Sequence, residues 1–416
     1  VFTDIGGDPD DQQSLVRLLI HAYHFDMEGF GTSSRLEHGE DTRPDIIQEQ
    51  LDGYADVYPN LLLHRQDYLH PDTLRNRVFA GQGDRWKMGE GHDTEASNAF
   101  LSVLREPDPR PLWVIVWGGQ RELAQALWKL KQTASEAEFN ELTGKLRVHS
   151  IGNQDGHMLW LLRNVPQMFH IISGFINMGY PTTDKVRLTS AYRGMYMTGP
   201  QELLSADWIE ENIRQGHGAL GKCYPLKTDV GNIKEGDTPS FLGMFQNGLN
   251  YPEHPEWGGW GGRFRPWVRG RFIDTPDYAF GSWNERHTVA RWRETVQRDF
   301  AAHMDWCVKS FEEANHPPQS PLNEPVRMQV QPGQKVKVEA KAFSDPDGNT
   351  LTYRWWVYDE AGDYLGKVPV LKQKGLQATL QIPEDISGKT VHLILEATDS
   401  GSPKLTGYQR FMLKVE

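Results

Sequence analysis

Four carboxylates fall within eight positions near the start of the chain: Asp4, Asp8, Asp10 and Asp11, in Thr3-Asp4-Ile5-Gly6-Gly7-Asp8-Pro9-Asp10-Asp11. Like charges packed this densely repel unless a proton or a cation offsets them. Hard carboxylate oxygens at short spacing suit Ca²⁺ or Mg²⁺ better than zinc. The same residues would also make a solvated acidic turn, with Asp10 or Asp11 capping a helix. Two glycines and a proline exclude a regular element, so the segment reads as a loop. Residues 1–3 before it look like the end of a strand, and Leu15, Leu18, Leu19 and Ala22 recur after it at helical spacing. Loops at the carboxyl ends of strands in an α/β sheet are where ligands bind.

The elements that must position this loop follow the same alternation. Residues 25–32 read as a strand, 45–58 and 94–105 as helices, and 111–117 as a continuous apolar run of the buried parallel kind. Gly118-Gly119 turns the chain into a helix over 121–131; this pair lacks the Lys-Ser/Thr of a phosphate loop. A strand over 145–151, a helix over 155–163 and a strand over 168–173 complete an α/β domain with a mostly parallel sheet and flanking helices, 1–315. Residues 178–285 read as long loops with short helices, for example 207–215, and a last helix spans 288–314. A proline-rich linker occupies 316–325. After it, six or seven strand-length segments in about 90 residues predict an immunoglobulin-like β-sandwich over 326–416. There, Trp355 and Trp356 must face opposite ways. Asp345, Asp347 and Asp399 read as turn residues or, alternatively, as a calcium cluster.

Composition narrows the function. The chain has 416 residues, 38% of them hydrophobic and 24% charged, and a net charge of −12. An acidic surface argues against nucleic acid as a partner, and no apolar run approaches a membrane span. Two cysteines, Cys223 and Cys307, cannot form a disulfide framework. A start at Val1 rather than Met suggests either a trimmed chain or a processed, exported protein, and we expect a periplasmic, cell-surface or secreted location. Fourteen Trp and fourteen Tyr are many for this length; such rings fill cores or stack on sugars.

The opening stretch resembles the nucleoside hydrolase signature Asp-x-Asp-x-Gly-x-Asp-Asp. More closely, it is similar to a nucleoside hydrolase-like family named for cellulose binding in bacteria that degrade plant polysaccharides. The likeness extends to Trp117-Gly-Gly-Gln-Arg-Glu-Leu-Ala-Gln-Ala-Leu127, Ile151-Gly-Asn-Gln-Asp155, Glu235-Gly-Asp-Thr-Pro-Ser-Phe241, Pro255-Glu-Trp-Gly-Gly-Trp-Gly-Gly-Arg-Phe264 and Arg291-Trp-Arg293, and the sandwich is a recurrent partner of that domain. The resemblance implies a calcium-dependent glycosidase with one Ca²⁺ in the α/β domain. It makes Asp4 general base and metal ligand, with Asp8, Asp10 and Asp11 as metal or sugar ligands, a backbone carbonyl near Arg121 and the distant Asp237. This chain departs at the first signature Asp, which is Phe2, and carries two extra residues before Asp10-Asp11.

The remaining candidates are weighed against plainer roles. Asn153 and Asp155 would bond sugar hydroxyls, or Asp155 caps a helix. Ser33 and His38, in the polar loop after the second strand, and Glu95 are further sugar contacts. His287 is the candidate general acid, and Trp257 and Trp260 form an aromatic wall beside the pocket. The expected partner is a sugar, glycoside or polysaccharide, and an oligomer is compatible with the sequence. The competing reading is a carbohydrate-binding protein without catalysis.

Overall fold

A computed structural model describes residues 1–178, 189–226 and 233–416. An eight-stranded sheet is ordered β3-β2-β1-β4-β5-β6-β8-β7. Its strands are β1 (Phe2–Thr3), β2 (Phe30–Thr32), β3 (Val78–Phe79), β4 (Leu112–Val116), β5 (Leu146–Asn153), β6 (Phe169–Met178), β7 (Phe264–Pro266) and β8 (Arg271–Asp274). All neighbours run parallel except β7 with β8. The order turns back between β1 and β4, which makes the crevice there the topological switch point of the sheet.

Helices cover both faces. On one, α4 (Glu95–Leu104), α5 (Arg121–Thr133), α6 (Glu136–Gly144) and α7 (Met158–Asn164) pack on Val114, Val116 and Val148. On the other, α1 (Asp10–Ile20), α2 (Pro44–His64) and the helix Arg293–Asp305 pack on Ile115, Trp117 and Ile151. The period-two split of 114, 116 against 115, 117 is what a strand buried on both sides requires. α3 (Pro71–Arg75) leads into β3. The expected helix 288–314 is broken into His287–Ala290 and Arg293–Asp305. The region expected to be loops holds β7, β8 and a hairpin of β9 (Asp277–Ala279) with β10 (Ser282–Asn284); residues 179–188 and 227–232 of it lie outside the described residues.

The C-terminal sheets are β11-β17-β16-β13 and β12-β15-β14, from strands Val326–Val330, Lys335–Glu339, Thr352–Val357, Val370–Lys374, Gln377–Gln381, Thr390–Thr398 and Thr406–Val415. Trp355 fills their core, while Trp356 faces the α/β domain against Trp292. This face is tightly joined: the buried Arg410 guanidinium donates to the carbonyls of Leu249, Trp257 and Gly258. Asp277 accepts from Arg263, Arg291 and the Tyr358 hydroxyl. His316, within the proline-rich segment, is buried between His64 and Asp347. Asp345 and Asp399 accept from backbone amides of their own turns, which is the plain turn role. Both cysteines are free thiols.

Two buried histidines set an acid limit on this fold. Burial pushes His149 and His170 down to about 3, and His170 Nε2 lies 2.8 Å from Ser150 Oγ. Both stay neutral in the fold but protonate near 6.5 once unfolded. Their contribution is therefore complete above pH 6.5 and is lost as pH falls toward 3, at about 1.4 kcal/mol per pH unit for each ring. Urea unfolding of His170→Gln between pH 4 and 6.5 is expected to show a shallower loss than wild type by that amount.

Candidate functional site

Because β1, β2, β4 and β5 are parallel, their carboxyl ends share one edge of the sheet, and the expected residues lie along it. Asp4 follows β1, Ser33 follows β2, Gly118-Gly119 follow β4, and Asn153 ends β5. Pro9 precedes α1, so Asp10 and Asp11 form its first turn, where the helix dipole favours acids.

Carboxylate oxygens of Asp10, Asp11 and Asp237 all lie within 4.8 Å of one another. Asp11 accepts a hydrogen bond from Thr3 Oγ1, and Oδ2 of the buried Asp237 is without a hydrogen-bond partner among the described residues. Burial first, and the Asp10 charge second, push Asp4 up to about 7. Burial and the neighbouring carboxylates likewise raise Asp11 and Asp237 well above the usual range. Buried atoms at the same edge also have no hydrogen-bond partner among the described residues: Ser33 Oγ, Asn153 Oδ1 and Gln120 Oε1. An all-oxygen set that carries concentrated negative charge and unused lone pairs fits a hard divalent cation.

Asp8 stands apart from this trio. It is exposed and bound to Lys234, whose ammonium also sits 3.4 Å from Asp10. Lys234 is not legible as a site residue in the sequence, because Asp8 and Asp10 lie more than two hundred positions away.

The loop carrying Asp237 is held by α1. Gln13 Oε1 accepts from the amides of Lys234 and Glu235 at 2.8 and 3.1 Å. Thr238 Oγ1 lies 3.0 Å from Ser14 Oγ, and Arg17 grips Glu235 through two bonds of 2.6 and 3.0 Å. Glu235 takes further bonds from Tyr224 and Thr238. A cation at position 17 among Leu15, Leu18 and Leu19 was the sequence signal for this buried pair.

The glycines of the β4–α5 turn are explained by close approach. A Cβ on Gly118 would lie 2.7 Å from Asp4 Cβ and Cγ, and one on Gly119 would lie 2.2 Å from Asp155 Oδ2. Gly118→Ala is therefore expected to displace Asp4 and destabilise the protein by about 1–3 kcal/mol, measured as a lower urea midpoint.

Several expected contacts have other employment. Asp155 Oδ2 accepts from the Arg121 amide at the start of α5 and Oδ1 from the His157 amide, so it caps rather than faces a ligand. Arg121 is the first residue of α5, where its carbonyl enters the helical ladder; its buried side chain binds Lys87 O, His92 O and Glu122. Glu95 is exposed and accepts from the Ala80 amide. His287 is bonded to Ser282 O and packed edge-on to Phe280, partners in the hairpin rather than the acidic cluster. Trp257 and Trp260 are not a pocket wall. Both are buried toward the sandwich, Trp257 stacked on His254 and edge-on to His392, and Trp260 against Tyr408. His38 does reach the acidic loop, its Cδ2 3.6 Å from where a Cβ on Gly7 would stand.

Tyr192 also borders the site: it and Asp10 both lie within 3.4 Å of a Cβ built on Gly236. A second cluster, His21-Asp299-His303, has its ring nitrogens engaged by Arg17 O, Asp299 and Tyr23, so it ties helices together. A cavity of about 520 Å³ opens at the other edge of the sheet, lined by residues such as Gly29, Trp113 and Lys145, away from the carboxylates.

Fold and site together define a nucleoside hydrolase-like α/β domain with an appended β-sandwich. The chain belongs to the family described as cellulose-binding Sde182, nucleoside hydrolase-like domain, which matches residues 1–264; residues 335–415 match the cellulose-binding protein Sde0182, C-terminal domain. Among solved structures it is similar to a nucleoside hydrolase-related hypothetical protein from Saccharophagus degradans associated with carbohydrate metabolism. That match has 32% identity and a TM-score of 0.82, and covers 100% of this chain and 98% of the other. Mouse clustered PcdhgC3 EC1-3 overlaps 26% of this chain and 36% of its own at 18% identity and a TM-score of 0.17, and carries no argument. No curated protein matches. No helix among the described residues is long and apolar enough to cross a membrane.

Proposed function

We propose that the protein is a calcium-dependent glycosidase acting outside the cell on an N- or O-glycosidic bond of a sugar derived from plant cell walls or resembling a nucleoside. The observation that carries this reading is the convergence of Asp10, Asp11 and Asp237 beside Asp4 at the switch point, with a buried oxygen on Asp237 that has no hydrogen-bond partner among the described residues. Asp10, Asp11 and Asp237 would hold the ion. Calcium, when bound, supplies a Lewis acid that grips vicinal sugar hydroxyls and orients water.

The chain's own groups do the rest. Asp4 accepts the proton of the attacking water on a carboxylate oxygen, and attack opposite the leaving group inverts the anomeric carbon. The leaving oxygen or nitrogen takes a proton from solvent as its bond to the anomeric carbon breaks, and Asp4 later gives its proton back to solvent, so water is added across one C–O or C–N bond. Lys234 pins Asp8 and Asp10, and Gly118 keeps Asp4 free of a side chain that would crowd it.

Turnover of nitrophenyl glycosides, arabino-oligosaccharides and nucleosides in millimolar calcium tests the proposal. Activity above an Asp4→Asn control is expected on at least one, and equal rates on all would defeat it. The family description favours a second reading, a polysaccharide-binding protein without turnover; in that case calcium heat persists while every substrate stays intact.

A further inference from the structure

Large aromatic side chains are seldom left in water, yet three crowd one short hairpin. Tyr278 is 53% exposed, Phe280 53% and Trp283 62%. The hairpin base is rigid, since the fully buried Asp277 takes Arg263 Nε at 2.7 Å, Arg291 at 2.8 Å and the Tyr358 hydroxyl at 2.6 Å. The tip is strained: Phe280 and Gly281 have φ of 50° and 79°, and a bulky residue rarely accepts that conformation. Strain of this kind persists where the surrounding structure imposes it, and it clusters at functional positions. From 278 to 283 the sequence Tyr-Ala-Phe-Gly-Ser-Trp holds no charge.

The position of the hairpin is equally specific. β8 is parallel to β6 and ends at Asp274, so the chain leaves the sheet at the carboxyl edge, the edge of the acidic site. Asp274 holds the Ala191 amide at 3.0 Å, and the next residue, Tyr192, borders Asp10 across Gly236. Tyr278 and Trp283 are cross-strand partners, with ring centroids 5.6 Å apart and planes at 59°.

We propose that Tyr278 and Trp283 form a subsite for one soluble, neutral glycan chain whose end approaches the acidic pocket; this rests on the reading of a polysaccharide ligand above. Aromatic faces pack against the C–H faces of pyranose rings. Two planes at 59° cannot both lie on a flat crystalline surface, but they form a notch in which one ring stacks on a sugar and the other walls its side. An uncharged tip suits neutral sugars.

The test is affinity electrophoresis of the full chain in gels holding hydroxyethyl cellulose, xylan or arabinan, beside sedimentation with microcrystalline cellulose. Trp283→Ala and Tyr278→Ala alter exposed side chains, so both are expected to keep the wild-type thermal midpoint. Each is expected to weaken retardation by at least about tenfold, while wild type binds the crystalline solid more weakly than the soluble chain. Unchanged retardation in both variants overturns the subsite and leaves the polysaccharide reading intact. Wild-type retardation by none of the gels overturns both. Tighter capture by the crystalline solid overturns the single-chain form, and loss of self-association without loss of retardation identifies the hairpin as a contact between copies instead.

Discussion

Asp237→Asn is expected to abolish calcium binding while leaving the metal-free protein at least as stable as wild type. In wild type, calcium at a hundred times its dissociation constant should add about 2.7 kcal/mol to unfolding. The variant should show no such gain, with affinity lower by at least about a hundredfold, because even outer partners of a metal ligand cost ten- to a hundredfold. Its metal-free midpoint should rise, since Asp237 is buried beside Asp4, Asp10 and Asp11 and like charges there oppose folding. Thermal unfolding with calcium and with chelator reads both halves. A calcium gain that survives the substitution removes Asp237 from the ion site; a lower metal-free midpoint shows that it instead supports the fold.

Arg17→Met should destabilise the protein by about 3–5 kcal/mol, the usual cost of leaving one partner of a buried ion pair alone. Arg17 bonds Glu235 twice, takes Gln297 and the Val296 carbonyl, and lies 3.8 Å over the Phe300 ring, all away from solvent. Met restores the bulk but not the charge, so the Glu235 carboxylate is left with the Tyr224 and Thr238 hydroxyls among the described residues. The double variant Arg17→Met/Glu235→Leu should recover part of the loss, as a hydrophobic replacement of a buried pair can be neutral. Urea midpoints measure both. Calcium affinity should fall in the single variant too, because Glu235 anchors the loop that presents Asp237.

Much of the scaffold was legible. Strands buried on two faces read as apolar runs, which is why β4 stood out at 112–116. Val370–Lys374 did not, because four of its five side chains face solvent and no pattern marks them. β7 and β8 are short and carry Arg265, Pro266 and Arg271, so periodicity fails there. The acidic loop declared itself through charge density, but its union with Asp237 spans more than two hundred residues and came only through family resemblance. For Asp155 the sequence leaves sugar contact and capping both open, because the Arg121 amide that it accepts from is 34 residues away. Trp257 and Trp260 misled for a related reason: an aromatic beside glycines marks close packing without saying whether a sugar or another domain is the counterpart.

Arg410 reaches from β17 of the sandwich into the carbonyl cage of 249, 257 and 258, and Gly248 lies so close to Tyr408 that a methyl there would meet its carbonyl oxygen at 1.9 Å. Severing the molecule within 316–325 would consequently not liberate two working modules. The α/β half would be an amputee, with Trp260 and Trp292 bared to water and prone to clump, and any ligand preference measured on such fragments would report damage. Dissecting this protein calls for point changes in the intact molecule.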